Sequence, residues 1–189
     1  MNAVFLDRDG VINEYPGDFK YVTSWEEFRF LPEVGAALKR LTSRRFKLFV
    51  ISNQAGVGKG EYSQNTLDLI TENMRGELKK QGVEISGVYY CTHRADDNCG
   101  CRKPKAGLIE MAVADAKSKG EFLNLNKSYF VGDSIGDIEA GKSMGLKTIL
   151  VFSGKEKAQN KADWQPVPDF TVLDLAQAAD LILKQEGAK

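Results

Sequence analysis

No run of apolar residues in this sequence approaches the roughly 20 needed to cross a bilayer as a helix, so a helical membrane span is excluded. An excess of charge of either sign is missing too. Lys plus Arg total 26 and Asp plus Glu total 26, for a formal net charge of zero, which argues against a surface devoted to nucleic acid or anionic lipid. The opening residues, MNAVFLDRDG, lack the basic, apolar and cleavage segments of a secretory signal, and the expectation is a cytoplasmic protein. Histidine is almost absent, with one residue, and cysteine is scarce, with three. In a reducing compartment, three thiols suggest metal ligands or free thiols rather than a disulfide framework.

Scarcity makes position informative. His93 and all three cysteines, Cys91, Cys99 and Cys101, fall within YYCTHRADDNCGCRKPKAG, residues 89–107. A disulfide would use two of the four and leave the histidine unexplained. A nucleophilic cysteine would need a nearby base but not three sulfurs. Three thiolates and one imidazole make a complete tetrahedral set for structural Zn²⁺, with no position left for water.

At 189 residues and 42% hydrophobic, the chain suits a single domain over residues 1–189. Short apolar runs at 3–6, 48–51, 88–91, 129–131 and 148–152 read as buried strands, with a shorter one at 170–172. Longer amphipathic segments alternate with them. A helix is predicted from Pro32 to about 44, another capped by Ser63 and ending before Gly82, and others over 108–119, 135–144 and 174–185. Strand–helix alternation predicts an α/β fold with a doubly wound parallel sheet. Two stretches break the pattern, 14–28 and the cysteine segment. Both follow the C-terminal ends of strands, where open α/β sheets bind ligands. Residues 154–169 read as a solvated connection.

The first predicted strand ends in LDRDG, with Asp7 and Asp9 two residues apart and on one side if the strand continues. The fourth ends in VGDSIGD, adding Asp133 and Asp137. Carboxylates gathered beyond a sheet repel one another unless a cation neutralises them, and hard oxygen ligands suit Mg²⁺. Asp-Gly pairs also make simple turns, but two such motifs after buried strands favour a site. Between them, VISNQAGVGKG places Ser52 and Asn53 at the end of the second strand. A nucleotide P-loop would need glycine in place of Asn53 and Ser or Thr in place of Gly60. A glycine-rich loop with these residues still offers hydroxyl and N–H donors to a phosphate.

Taken in order, DRDG at Asp7, Ser52 in VISNQ, RKPK at Lys103 and GDSIGD at Asp133 resemble the four motifs of the haloacid dehalogenase superfamily of phosphohydrolases, over residues 4 to about 150. The resemblance implies a cap-less phosphatase domain with a zinc-binding loop at about 91–101. It implies Asp7 as nucleophile, Asp9 as general acid and then base, and Ser52 and Lys103 as holders of the transferring phosphoryl group. Catalytic Mg²⁺ would lie on Asp7, Asp133 and the backbone carbonyl of Asp9, with Zn²⁺ purely structural. Asp137 would be either an outer neighbour of the metal or a helix N-terminal residue.

The cysteine loop narrows the resemblance to two cap-less branches, heptose bisphosphate phosphatases and histidinol-phosphate phosphatases, and NQAGVGKGEYS looks more like the former. That branch implies removal of the 7-phosphate from D-glycero-D-manno-heptose 1,7-bisphosphate, a step toward the heptose of lipopolysaccharide or surface-layer glycan. Asn53, Gln54, Lys59, Arg102, Lys20 and Tyr21 would then meet substrate. The implied partner is a small phosphorylated sugar, with no nucleic acid, no membrane and a monomeric protein. Thr92 stands where these families usually carry proline, and Ser134 where some heptose enzymes carry lysine. Two readings from other classes are a phosphoacceptor receiver domain and an inactive zinc-braced binding module. A receiver would carry its acceptor aspartate after a later strand and has no use for RKPK, and the intact Asp7 and Asp9 speak against the module.

Overall fold

The computed structural model describes residues 1–187. Six strands, β1 (Ala3–Leu6), β2 (Lys47–Asn53), β3 (Gly87–Cys91), β4 (Tyr129–Gly132), β5 (Lys147–Val151) and β6 (Phe170–Val172), form one sheet in the order 3-2-1-4-5-6. All pairings are parallel, with Leu6 opposite Val50 on one side and Val131 on the other. The predicted strands agree with these to within two residues.

Alternation along each strand decides what covers which face. Val4, Leu6, Leu48 and Val50 point to one side, where they pack on Leu38 and Leu41 of α1 (Val34–Ser43), Ile70 and Met74 of α2 (Gln64–Lys80), and Ala178 and Ile182 of α5 (Leu175–Gly187). Ala3, Phe5, Phe49 and Ile51 point to the other, against Ile109 and Ala112 of α3 (Gly107–Ser118) and Ala140 of α4 (Ile135–Ser143). Every β1 side chain is buried, as a central strand with helices on both faces requires. No helix among the described residues is long and apolar enough to cross a membrane.

Two sequence-based expectations need correction. Helix α1 starts at Val34 rather than Pro32, because Glu33 adopts a left-handed backbone (φ 60°) and breaks the helix from the proline. The stretch 154–169 is more than a solvated link. It carries a 3₁₀ turn at Ala158–Asp163, buries Trp164 and returns the Lys155 backbone N–H to Asp133 Oδ2 at 2.7 Å.

The strand order reverses at β1, so the crevice between β1 and β4 at their C-terminal ends is the topological switch point where such sheets bind ligands. Asp7 and Asp133 follow those two strands directly.

The start of α2 is held by Ser63, whose hydroxyl accepts from the Thr66 N–H at 3.1 Å. Ser63→Ala is expected to cost about 1 kcal/mol, lowering the thermal midpoint by roughly 2–4 °C. An unchanged midpoint would show that the cap is idle.

Candidate active site

The site begins where β1 runs out. Asp7 still pairs as a strand residue, its N–H donating to Val131 O at 3.0 Å, and the chain then turns through Gly10 at φ 80°. A side chain at Gly10 would stand 2.3 Å from Asp133 Oδ2 and one at Gly154 2.0 Å. Glycine at both positions lets three loops close around Asp133.

Asp7, Asp133 and Asp137 bring carboxylate oxygens within 4.8 Å of one another, and Lys103 is driven in among them. Its ammonium reaches Asp137 Oδ1 at 2.6 Å and Asp7 Oδ2 at 2.9 Å, and donates to Ile51 O at 2.8 Å. Those three acceptors match its three donors. Burial alone would push this ammonium down, but Asp137 and then Asp7 more than offset it and hold it above its ordinary value. Asn53 aims the lysine from behind: its amide donates to Lys103 O and accepts from Lys103 N, both at 3.0 Å. The Ser52 hydroxyl lies beside Asp7 and is buried.

Asp137, whose place was open between two roles, is fully buried and takes both Lys103 and the first turn of α4, accepting from Ser134 N at 3.0 Å and Ser134 Oγ at 2.6 Å. The Ser134 hydroxyl is thereby spent on the helix cap.

Three carboxylates face a single ammonium. Burial lifts the Asp7 carboxyl from 3.8 to about 6, with Lys103 opposing and Asp137 reinforcing the rise. Asp133 is raised well above the usual range by burial first, then by Asp7 and Asp137. Two uncompensated negative charges at a buried site are the deficit that a divalent cation with oxygen ligands removes, so the donor set fits Mg²⁺.

Asp9 stands apart from these carboxylates. Its carboxylate does not join the cluster but turns toward Arg8, Asn13 and Gln54, because the strand does not continue past Asp7 and the two side chains diverge. Gln54, expected to meet substrate, is 1% exposed, and its amide is engaged by Asp9, Ser52 and the Tyr62 hydroxyl. It braces the site from within.

Above the carboxylates opens a cleft of about 360 Å³, bordered by Asp9, Asn53, Lys20, Tyr21, Lys59, Arg102 and Lys155. Lys59 lies over the Tyr21 ring at 5.6 Å. Among the described residues, the Arg102 guanidinium donates to His93 O at 3.4 Å. A larger depression of about 560 Å³ near Arg44, Arg45 and Lys47 lies around the start of β2, away from these carboxylates. Arg8, Asn13, Tyr62 and Lys155 were not foreseen. An arginine set inside the buried run VFLDRDGVI was the available signal for the first.

The cysteine loop gathers as its composition predicts. Cys101 Sγ lies 3.3 Å from Cys91 Sγ, 3.5 Å from Cys99 Sγ and 3.3 Å from His93 Nδ1, and Cys91 Sγ lies 3.6 Å from Cys99 Sγ and 3.7 Å from His93 Nδ1. Sulfurs bonded to one another would stand about 2.05 Å apart, whereas sulfurs about 2.3 Å from a common tetrahedral Zn²⁺ stand about 3.8 Å apart. The four donors fit zinc. Lys105 closes the loop by donating to Cys99 O at 2.8 Å.

Comparison with known proteins gives the frame for this geometry. Residues 100–178 match the HAD-hydrolase-like family model. A D-glycero-beta-D-manno-heptose-1,7-bisphosphate 7-phosphatase from Haemophilus ducreyi is 38% identical over 85% of this chain and 90% of its own. The chain belongs to the haloacid dehalogenase-like hydrolases. A D-glycero-alpha-D-manno-heptose-1,7-bisphosphate 7-phosphatase from Campylobacter jejuni is 35% identical over 82% of this chain and 84% of its own. The crystal structure of D,D-heptose 1,7-bisphosphate phosphatase from B. bronchiseptica, complexed with magnesium and phosphate, superposes with a TM-score of 0.85 at 30% identity, covering 98% of this chain and 99% of that one.

The raised Asp7 makes a pH-dependent prediction. A carboxyl whose folded value exceeds its unfolded one keeps its stabilising contribution below 3.8 and loses it as pH climbs through about 6. In metal-free protein, Asp7→Asn should therefore be more stable than the parent near pH 7.5, by up to about 3 kcal/mol, with the gain vanishing near pH 4. Urea unfolding at both pH values checks this; an equal gain at both would contradict it.

Proposed function

We propose that the chain is a Mg²⁺-dependent phosphatase that removes the 7-phosphate of D-glycero-D-manno-heptose 1,7-bisphosphate in the cytoplasm, acting as a monomer. The observation that carries the reading is the convergence of Asp7, Asp133 and Lys103 beneath a cleft rimmed by Lys20, Lys59, Arg102 and Lys155. A nucleophile on the floor and cations on the rim suit a substrate with one phosphate to lose and another to hold. The names of relatives similar over most of the chain supply the sugar.

An Asp7 oxygen attacks phosphorus while the bond to the sugar oxygen breaks, and Asp9 gives that oxygen its proton. Water then attacks the aspartyl phosphate, Asp9 takes the proton, and phosphate leaves with Asp7 restored. Lys103 sits where it can pass one of its contacts from Asp7 to a phosphoryl oxygen, neutralising charge that a dry site would otherwise punish. Asp7, Asp133 and the Asp9 carbonyl would hold Mg²⁺, which would supply electrostatic stabilisation of the developing negative charge. Arg102 presents a planar fork at the rim, suited to the phosphate that stays. Zn²⁺ on Cys91, His93, Cys99 and Cys101 would fix the loop that delivers Arg102 and Lys103, without touching substrate.

Initial rates of phosphate release from both anomers of the heptose bisphosphate, histidinol phosphate and common hexose phosphates test the assignment. A heptose bisphosphate should give the highest kcat/KM, and Asp9→Asn should lower kcat on it by roughly 10²–10⁴-fold. Preference for histidinol phosphate would overturn the substrate. Metal analysis of protein purified under reducing conditions should find about one equivalent of tightly held zinc. Less than about a tenth of an equivalent, together with a disulfide in the loop, would defeat the zinc site.

A further inference from the structure

Between the two aspartates of the first motif stands Arg8, which the chemistry above does not use. Its side chain is completely buried, with the guanidinium carbon 6.0 Å from the Phe28 ring centre and 5.8 Å from that of Tyr90. An ion pair in such surroundings is weak evidence for stability, since a well-packed apolar residue would often serve the core as well or better. What this arginine has instead is direction. Nε donates to Asp9 Oδ1 at 3.2 Å, and Nη2 donates to Oδ1 at 3.0 Å and Oδ2 at 3.1 Å. Nη1 is buried with no hydrogen-bond partner among the described residues. Among the described residues, the three side-chain hydrogen bonds of Arg8 within 3.5 Å all go to Asp9, with the Tyr90 phenol alongside.

Two further donors complete the grip. Asn13 Nδ2 reaches Oδ1 at 2.8 Å, and Gln54 Nε2 reaches Oδ2 at 2.8 Å. Gln54 is itself oriented by the Tyr62 hydroxyl, which donates to its Oε1 at 2.6 Å. The Asp9 side chain keeps 20% exposure and borders the cleft. A planar fork fixes the plane of a carboxylate in a way that a point charge cannot.

We propose that Arg8 is a positioning residue: its buried fork, seconded by Asn13 and the Tyr62–Gln54 pair, aims the Asp9 carboxylate at the leaving-group oxygen. The role deepens the phosphatase reading and rests on it. Proton donation matters most when the leaving oxygen is poorly stabilised, so misaiming Asp9 should slow alkyl phosphates far more than nitrophenyl phosphate. kcat/KM isolates this effect, because it reports steps only up to departure of the first product.

The test compares wild type, Arg8→Met and Arg8→Lys on 4-nitrophenyl, phenyl and methyl phosphate, each also in an Asp9→Asn background. Arg8→Met should lower kcat/KM on methyl phosphate about tenfold or more and on 4-nitrophenyl phosphate less than about threefold. Arg8→Lys should fall short of full rescue. In the Asp9→Asn background, Arg8→Met should cost almost nothing further, because interacting residues are not additive. Equal losses across the three esters, or an undiminished loss without Asp9, would overturn the positioning role and leave Arg8 as architecture. Should Arg8→Met not fold, Tyr62→Phe carries the same comparison through Gln54. It should show the same ordering at smaller size, and a uniform loss or none would overturn the proposal. A wild type that hydrolyses none of these esters, nor the heptose bisphosphate, would overturn the phosphatase reading and the Arg8 role together.

Discussion

The Lys103 ammonium, sunk among Asp137, Asp7 and the carbonyl of Ile51, is the interaction on which the rest of this structure depends. Removing this one cation would leave Asp137 and Asp7 buried without a counter-charge, which typically costs far more than the pairing contributes. The neighbouring elements are arranged to prevent that. Asn53, at the end of β2, grips the Lys103 backbone at both its N–H and its carbonyl. The cysteine cluster gathers the chain immediately before it. Asp137 is fixed in turn by the first turn of α4. One lysine thus ties β1, β2, α4 and the loop after β3 into a single unit at the switch point.

The fold was legible because its signals are local. β1 and β2 are short apolar runs with no polar interruption, which only a sheet covered on both faces can bury, and Ser63 and Gly82 mark the ends of α2 by their own chemistry. Boundaries that depend on backbone choice were not legible. Pro32 is a good first helical residue on propensity, yet Glu33 takes a left-handed conformation that ends the run back to it. Trp164 escaped for the converse reason: a polar stretch conceals one aromatic that fills a gap against Leu150 and Ile138.

Within the site, the residues that converge were legible and their directions were not. Sequence spacing marked Asp7, Asp9, Asp133, Lys103 and the four cysteine-loop donors as belonging to clusters. Spacing put Asp7 and Asp9 on one side only if the strand continued, whereas β1 stops and one joins the carboxylate cluster while the other pairs with Arg8. Gln54 failed the same way, since a polar residue after a strand can face cleft or core and only the Tyr62 contact decides. Direction is a tertiary property, set by loops that a pattern of residue types does not encode.

The central claim is that the phosphoryl group passes through Asp7. Rapid quenching during turnover, followed by borohydride reduction and peptide mass spectrometry, converts an aspartyl phosphate to homoserine at the residue that bore it. The account predicts homoserine at position 7, dependent on substrate and absent from Asp7→Asn. Its appearance at position 9 or 133, or its absence from position 7 under conditions of steady turnover, would contradict the account.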